Sequence, residues 1–151
     1  MPNLRIESST PSIELIAQLY AAAALRRPVR DLPRLQTMFT GSNVVRAAWQ
    51  GDHLVGLLRG WTDGTFDGFI ADLAVHPRLQ RTGVGRALMD SLAALGDGIQ
   101  WVLLASPLAP EYYQHHGWEV ASMARLRPRH GWDPGTPQAW AEAHRDLAFD
   151  A

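Results

Sequence analysis

Two hydrophobic periods run through the chain, one typical of helices and one typical of strands. From Val84 to Leu95 apolar side chains recur at intervals of three and four residues, which predicts an amphipathic helix with Gly96 as its C-terminal cap. The segment FDGFIADLAV at 66–75 predicts a strand, and IQWVLLAS at 99–106 is an unbroken apolar run. Such a run is expected of a strand that is buried on both faces.

Turn and capping signals between the apolar segments predict the other elements. In chain order these are a strand at 4–7, a helix that begins at Thr10-Pro11, a short helix at 31–39, hairpin strands at 43–50 and 54–62 around a Gly51-Asp52 turn, a short helix at 109–116 that Gly117 ends, a strand at 118–123 and a final helix at 137–149. The order β-αα-βββ-α-β-α-β predicts a mixed α/β fold, with antiparallel strands first and a crossover helix later.

The composition of the chain excludes several kinds of site and gives no support for several kinds of partner. The 151 residues, 46% of them hydrophobic, suffice for one domain with a proper core, and there is no cysteine. Disulfides, thiolate metal sites and a cysteine nucleophile are therefore excluded, and the histidine spacing predicts no metal site. A net charge of −1 gives no general attraction to nucleic acid or to an anionic membrane. Because neither a signal peptide nor a membrane-spanning apolar run stands out, we expect a cytoplasmic protein without nucleic-acid or membrane partners.

The stretch QRTGVGR at 80–86, directly before the predicted helix, carries the clearest candidate chemistry. One interpretation is structural, with glycines that bend the chain into a helix. A Walker A loop is excluded because the chain contains no lysine, and a dinucleotide-binding loop would need a third glycine where Leu88 stands. The remaining interpretation is an anion cradle formed by the N–H groups of a helix N-terminus together with Arg78, Arg81 and Arg86.

This stretch resembles the acetyl-CoA signature of the GNAT superfamily of N-acetyltransferases, Q/R-x-x-G-x-G/A. The LAVHP strand end before it and the order of elements over residues 4 to about 125 are similar to that family as well. The resemblance implies a mixed, mostly antiparallel sheet of six to seven strands flanked by helices, with strands four and five splayed apart around acetyl-CoA. The implied cofactor contacts are the main chain of Leu73, Ala74 and Val75 for the pantetheine arm, and Gln80, Arg81, Thr82, Gly83, Val84, Gly85 and Arg86 for the pyrophosphate.

A second family pattern, N-x-x-A-x-x-F-Y-x-x-x-G-F/W, resembles SPLAPEYYQHHGW from Ser106. It implies that Tyr113 is the general acid, and an ordinary pKa of about 10 keeps this phenol protonated at neutral pH. The alternative is that Tyr112 and Tyr113 only pack. Ser106, a further implied cofactor contact, stands where the family usually has Asn, and Ala71 stands where many members have Glu. Because Asp72 points to the opposite face, we expect a base that is water-mediated or supplied from elsewhere.

In this family the acceptor usually lies between the loop that joins the first two helices and the loop between the third and fourth strands. Here these loops read RRPVRD at 26–31 and RGWTDGTFDG at 59–68. Their aromatic and acidic residues suit a small cationic or aromatic amine, or else they are ordinary turn residues. The candidate substrate residues are Arg30, Trp61, Asp63 and Phe66.

The end of the chain is predicted to form an arm, residues 126–151, beside an acetyltransferase core at 1–125. Arg125, Arg127 and Arg129 would share one face of a strand, where they meet a phosphate or an acidic substrate or line a solvated edge. The arm is expected to pack on the core or on a second subunit, which leaves a homodimer open.

Together these features predict an N-acetyltransferase that moves acetyl from acetyl-CoA to a primary amine of a small molecule. Transfer would be direct, since no cysteine is present to form a thioester intermediate. Two alternatives stay open, acetylation of a protein or peptide amine and a CoA-binding regulatory module without efficient chemistry. The departures at Ala71 and Ser106 keep the second of these in view.

Overall fold

The chain folds as one sheet with helices on both faces in a computed structural model that describes residues 3–105 and 111–149. The strands are β1 (Leu4–Glu7), β2 (Val44–Gln50), β3 (His53–Thr62), β4 (Asp67–Val75) and β5 (Gln100–Leu103). The helices are α1 (Ile13–Ala22), α2 (Leu32–Thr40), α3 (Val84–Asp90) and α4 (Pro137–Ala143), and short 3₁₀ turns cover Pro77–Leu79, Ser91–Leu95 and Gln114–His116. Up to β5 the order of elements is the predicted one. No helix in the described part is both long enough and apolar enough to span a membrane.

The sheet is antiparallel except at its last strand. Its strand order is β1-β2-β3-β4-β5, and β5 returns parallel to β4 after the α3 crossover. The two parallel strands pair only from Asp67 opposite Gln100 to Ile70 opposite Leu103. Because β4 continues to Val75, the edge of residues 71–75 that faces away from β3 has no strand partner in the described part of the chain. This opening confirms the expected divergence of strands four and five.

Apolar clusters on the two faces of the sheet hold the helices in place. On one face α1 and α2 bury Leu19 and Leu35, and Trp140 of α4 packs into the same cluster. On the other face Val84 and Leu88 of α3 are fully buried against β2 and β3. Residues of the C-terminal segment thus contact the core, while the division into a core at 1–125 and an arm stays a prediction.

Helix boundaries differ from the predicted ones by a few residues. The Ser12 hydroxyl caps α1 by accepting the N–H group three residues on at 3.4 Å, so the helix begins two residues after the predicted Thr10-Pro11 start. The helix predicted from Val84 to Leu95 divides into α3 and a 3₁₀ turn, and Gly96 ends it with a left-handed φ of +114°. The final helix ends at Ala143, well before the predicted residue 149, although the chain still turns there.

Residues 99–105 do not form the strand buried on both faces that was predicted for the apolar run at 99–106. β5 is a short strand at the edge of the described sheet, in which Trp101 and Leu103 pack against the α3 side and Val102 is 38% exposed. Leu104, the residue after the strand, is 59% exposed. At Leu104, directly after the strand, the chain borders a cavity. The apolar residues of this segment therefore have two roles. Trp101 and Leu103 contact the core, and Leu104 lines a cavity.

The strand predicted at 118–123 is also wrong. Residues 117–136 form no strand in the structure, so the sheet has five strands in the described part rather than six to seven. A period-two pattern forms a strand only beside a partner that completes the hydrogen-bond ladder, and this segment leaves Val120 and Met123 exposed. The shared strand face predicted for Arg125, Arg127 and Arg129 is absent for the same reason.

Candidate active site

A cavity of about 640 Å³ opens where β4 and β5 part, and we call it the larger cavity. Ala71 and Leu73 of β4 line one side, and Leu104 and Ala105 after β5 line the other. The α1–α2 loop, α2, Trp61 near the end of β3 and the C-terminal segment complete its wall. The cavity therefore lies between the two loops that were predicted to bind the acceptor.

Tyr113 lies in the wall of the larger cavity and also borders a smaller one of about 290 Å³. Its ring packs edge-on against Tyr112 and Trp118, with centroids 5.1 and 5.9 Å away. Partial burial, with a further contribution from Tyr112, raises the pKa of Tyr113 above its ordinary value of 10.0. The phenol is therefore protonated at neutral pH and can act as a proton donor toward the cavity.

The turn between β4 and α3 lets a ligand approach the backbone closely. Gly83 is the N-terminal cap of α3, with a left-handed φ of +97° that favours glycine. A Cβ atom at Gly85 would lie 2.9 Å from the Tyr112 hydroxyl oxygen and 3.6 Å from the Val75 side chain. The first N–H groups of α3 have no partners within the helix, and the helix dipole adds positive potential there. This arrangement suits a phosphate group.

Two polar side chains of the turn stabilise its shape. The side-chain amide of Gln80 donates to the carbonyl of Val75 at 3.2 Å, and the Thr82 hydroxyl donates to the carbonyl of Leu79 at 2.5 Å. Arg81 is exposed and has a left-handed φ of +66°, which is uncommon for a residue with a side chain. The backbone of this turn is thus fixed in a defined conformation before any ligand arrives.

Arg86 connects the cradle to the segment that carries Tyr113. One of its terminal nitrogens lies 3.0 Å from Nδ1 of His116, and its Nε lies 3.7 Å from the carboxylate of Asp90. All three side chains are exposed, so the contacts leave the guanidinium accessible from solvent. The last predicted cofactor contact, Ser106, lies outside the described residues.

A buried ion cluster lies beside the larger cavity and contributes to its wall. Asp72, only 1% exposed, stands directly opposite Arg59 in the β3–β4 ladder. Its carboxylate accepts hydrogen bonds from Nε of Arg59 at 2.6 Å, Nε of Arg27 at 2.7 Å and the Tyr20 hydroxyl at 2.8 Å. Burial by itself would raise the pKa of Asp72, but Arg27, Arg59 and the Tyr20 hydroxyl outweigh it and hold this pKa below its ordinary value. Asp72 is therefore a structural anion and a poor base.

Sequence reasoning missed this cluster, although a signal was present. Arg59 interrupts the apolar strand LVGLLRGWT, and Asp72 interrupts the neighbouring FIADLAV. Single charges of opposite sign in two adjacent apolar strands predict a buried pair, since an unpaired charge would be too costly there. The expectation that Asp72 could not replace a catalytic strand Glu agrees with the structure.

Among the four candidate substrate residues, Trp61 lines the larger cavity. Its indole N–H donates to the carbonyl of Gly41 at 2.5 Å, which fixes the ring. The guanidinium carbon of Arg59 lies 5.0 Å from the centroid of the ring, a cation–π distance. The ring of Trp61 is thus held in the wall of the larger cavity.

The other three candidates lie outside the lining of the larger cavity. Asp63 closes its own turn, because its carboxylate accepts the N–H groups of Thr65 and Phe66 at 2.9 and 2.7 Å. These backbone hydrogen bonds lower the pKa of Asp63. Phe66 is 70% exposed at the tip of that turn, and Arg30 pairs with Asp146 of the C-terminal segment at 2.7 Å. The structure therefore does not bring an acidic rim to the cavity.

Family comparison agrees with the fold and with the arrangement of this site. Residues 41–120 match the family model described as the acetyltransferase (GNAT) domain, and this range contains β2 to β5, the glycine turn and Tyr113. The match covers more than half of the chain. The protein belongs to the GNAT acetyltransferase family.

One curated protein and two solved structures illustrate the similarity. An uncharacterized, ycf52-like N-acetyltransferase of Prochlorococcus marinus is 35% identical over 115 residues, which cover 72% of this chain and 62% of that protein. The chain therefore spans less than two thirds of this curated relative. A probable acetyltransferase of meticillin-resistant Staphylococcus aureus has a TM-score of 0.71 at 16% identity, over 84% of this chain and 99% of that one. An aminoglycoside acetyltransferase from an uncultured soil metagenomic sample, solved with sisomicin, has a TM-score of 0.62 at 18% identity, over 87% and 97%. At these identities the two structures support the fold.

Proposed function

We propose that this protein transfers an acetyl group from acetyl-CoA directly to a primary amine of a small molecule. The observation that carries the proposal is the position of the larger cavity, which opens between the diverging ends of β4 and β5 and has Tyr113 in its wall. A thioester placed along the open edge of β4 and an amine in the cavity would both have Tyr113 nearby. Membership of the acetyltransferase family supports the type of reaction.

The residues present fit acetyl-CoA, which would supply the activated acetyl thioester. The main chain of Leu73, Ala74 and Val75 lies along the edge of β4 that β5 leaves open, so its polar groups would pair with the pantetheine amides. The N–H groups at the start of α3 would bind the pyrophosphate, since Gly83 leaves open space beside them and Gly85 adds no side chain of its own. Ser106 stays a predicted contact.

Tyr113 would supply the proton that the departing thiolate needs. Its raised pKa keeps the proton on the phenol until a strong base forms beside it, as a general acid requires. The amine must attack in its neutral form, and Asp72 cannot accept its proton because the carboxylate is buried and paired. We therefore retain a water-mediated route for that proton.

Replacement of Gly85 by valine tests the cofactor cradle. Because a Cβ there would already lie 2.9 Å from the Tyr112 hydroxyl oxygen, the larger side chain would displace Tyr112 and crowd the first turn of α3. We expect Gly85→Val to weaken acetyl-CoA binding at least tenfold, on the order of one lost charge-assisted hydrogen bond, in a calorimetric titration.

Gly98→Val is the matched control for this variant. A Cβ at Gly98 would meet only the carbonyl oxygen of Thr65, at an ordinary 3.6 Å, so this substitution should leave the affinity for acetyl-CoA unchanged. Equal affinity in wild type and Gly85→Val would mean that the glycines serve only the start of the helix.

The proposal is tested by thiol release from acetyl-CoA against pooled amines. The pools are amino acids, arylalkylamines, polyamines, aminoglycosides and short peptides. Release that depends on a small amine supports the proposal. Release with peptides alone would favour the protein or peptide alternative, and silence from protein that still binds acetyl-CoA would favour a regulatory module. A cytoplasmic location and a homodimer stay predictions.

A further inference from the structure

The charge in the larger cavity points to the class of acceptor. We infer that the acceptor is a primary amine that also carries an anionic group, a carboxylate or a phosphate. This inference rests on the proposed transferase function. Among residues 3–105 and 111–149, the lining of this cavity contains one carboxylate, that of Asp72, and five arginines. The arginines are Arg26, Arg27, Arg34, Arg59 and Arg129.

Two of these arginines already balance the carboxylate. Arg27 and Arg59 both bind Asp72 through their Nε atoms, and Arg27 also donates to the carbonyl of Ala71 at 2.9 Å. Their positive charge is partly cancelled, and they are held rigidly. The positive potential of the cavity therefore comes mainly from the other three arginines.

These three arginines have no carboxylate partner among the ion pairs of residues 3–105 and 111–149. Arg26 donates to the carbonyl of Gly135 at 2.5 Å, which places its charge without neutralising it. The guanidinium carbon of Arg34 lies 5.6 Å from the ring centroid of Trp132, and Arg129 is exposed. A wall with this charge attracts an anion and repels a second cation.

Arg34 and Arg129 line the same cavity from two different elements of the fold. Arg34 belongs to α2 and Arg129 to the C-terminal segment, and the contact between Arg34 and Trp132 brings the two elements together. Guanidinium groups bind carboxylate and phosphate in bidentate form, so a pair of them selects for such a group. Both lie in the same lining as Tyr113, which we place at the reacting end.

The apolar lining adds a second preference. Trp61 and Phe69 stack with centroids 6.2 Å apart, and both line the cavity together with Trp132. Aromatic faces of this kind favour an acceptor with an apolar or flat body between its amine and its anion. The sequence suggested a small cationic or aromatic amine. The cationic option loses its support, because the acidic Asp63 does not line the cavity.

Matched pairs of amines test the inference. Phenylalanine is compared with phenethylamine, and O-phosphoethanolamine with ethanolamine, in the thiol-release assay at low ionic strength. We expect the anionic member of at least one pair to have a kcat/KM roughly tenfold or more higher, as one charge-assisted contact provides. The two pairs separate a carboxylate from a phosphate preference. Equal or better use of the amines without an anion would overturn the inference while leaving the transferase function intact.

Variants that remove one positive charge test whether Arg34 and Arg129 cause the preference for an anionic amine. Arg34→Gln and Arg129→Gln should each raise KM for the anionic amine roughly tenfold with little change in kcat. They should not change KM for the amine without an anion. Arg34→Lys, which keeps the charge but not the bidentate geometry, should restore only part of the affinity. The control Arg127→Gln, an exposed arginine outside the lining, should behave as wild type.

A binding measurement keeps the inference testable without turnover. N-acetylphenylalanine, which carries a carboxylate, and N-acetyl-O-phosphoethanolamine, which carries a phosphate, are each titrated calorimetrically into wild type, Arg34→Gln and Arg129→Gln. Binding that both variants weaken supports an anion site even where no amine releases thiol, an outcome that would refute only the catalytic proposal. No binding to wild type, or binding that both variants leave unchanged, would overturn the anion site.

Discussion

Tyr113→Phe is expected to lower kcat by roughly 10²–10⁴-fold, the usual contribution of a positioned general acid. Removal of the hydroxyl takes away the proton for the departing thiolate but keeps the ring that packs between Tyr112 and Trp118. The affinity for acetyl-CoA should therefore change little. Steady-state kinetics with the best amine, together with a calorimetric titration of the cofactor, separate the two effects.

Tyr112→Phe is the matched control for this prediction. Tyr112 borders the smaller cavity but not the larger one, so its hydroxyl does not face the proposed acceptor. We expect its kcat to stay close to that of wild type. Similar rates for wild type and Tyr113→Phe would remove Tyr113 from the reaction and return it to the packing role that the sequence left open.

Asp72→Asn is expected to destabilise the fold by about 3–5 kcal/mol, the cost of removing one partner from a buried ion pair. The amide would leave Arg59 and Arg27 without their counter-charge, and Arg59 is itself buried. Since a domain of this size has roughly 5–15 kcal/mol of stability in total, the loss is a large fraction. Urea unfolding of wild type and variant measures it through the midpoint at constant slope.

The same variant should change the response of the protein to acid. A carboxyl whose pKa is lower in the folded than in the unfolded state stabilises the fold above its unfolded pKa of about 3.9, and this contribution is lost as the pH falls through the folded pKa. The pKa of Asp72 is lowered by its arginine and tyrosine partners, so wild type should lose stability below about pH 4 more steeply than Asp72→Asn.

Asp67→Asn serves as the control, because Asp67 is exposed at the start of the same strand. It should change the free energy of unfolding by less than about 0.5 kcal/mol. Equal stability of Asp72→Asn and Asp67→Asn would show that the cluster is not needed to hold β3, β4 and the α1–α2 loop together.

The elements from β1 to α3 were predictable because their signals are local. The hairpin turn at Gly51, the helical spacing after Val84 and the glycine that caps α3 each act within a few residues. The positions of Tyr113 and of the glycine turn followed from two motifs of a known family. Both segments lie within the range that matches the family model.

The charge of the larger cavity and the structure of residues 118–123 depend on contacts between distant parts of the chain, which local patterns do not show. Arg34 and Arg129 are far apart in sequence, and their presence in one cavity follows from how the C-terminal segment packs beside α2. The segment 118–123 has the alternation of a strand, yet no partner strand lies beside it. Local patterns therefore predicted the region proposed for the cofactor better than the acceptor cavity, whose charge comes from tertiary packing.

A single-turnover experiment with acetyl-labelled acetyl-CoA tests the central proposal most directly. The protein is mixed with labelled cofactor and an amine that supports thiol release, and the label is followed on the amine and on the protein by mass spectrometry. Direct transfer predicts that the label appears on the amine as the thiol is released, with none retained on the protein. Label that stays on the protein, or thiol release that yields only free acetate, would contradict direct transfer.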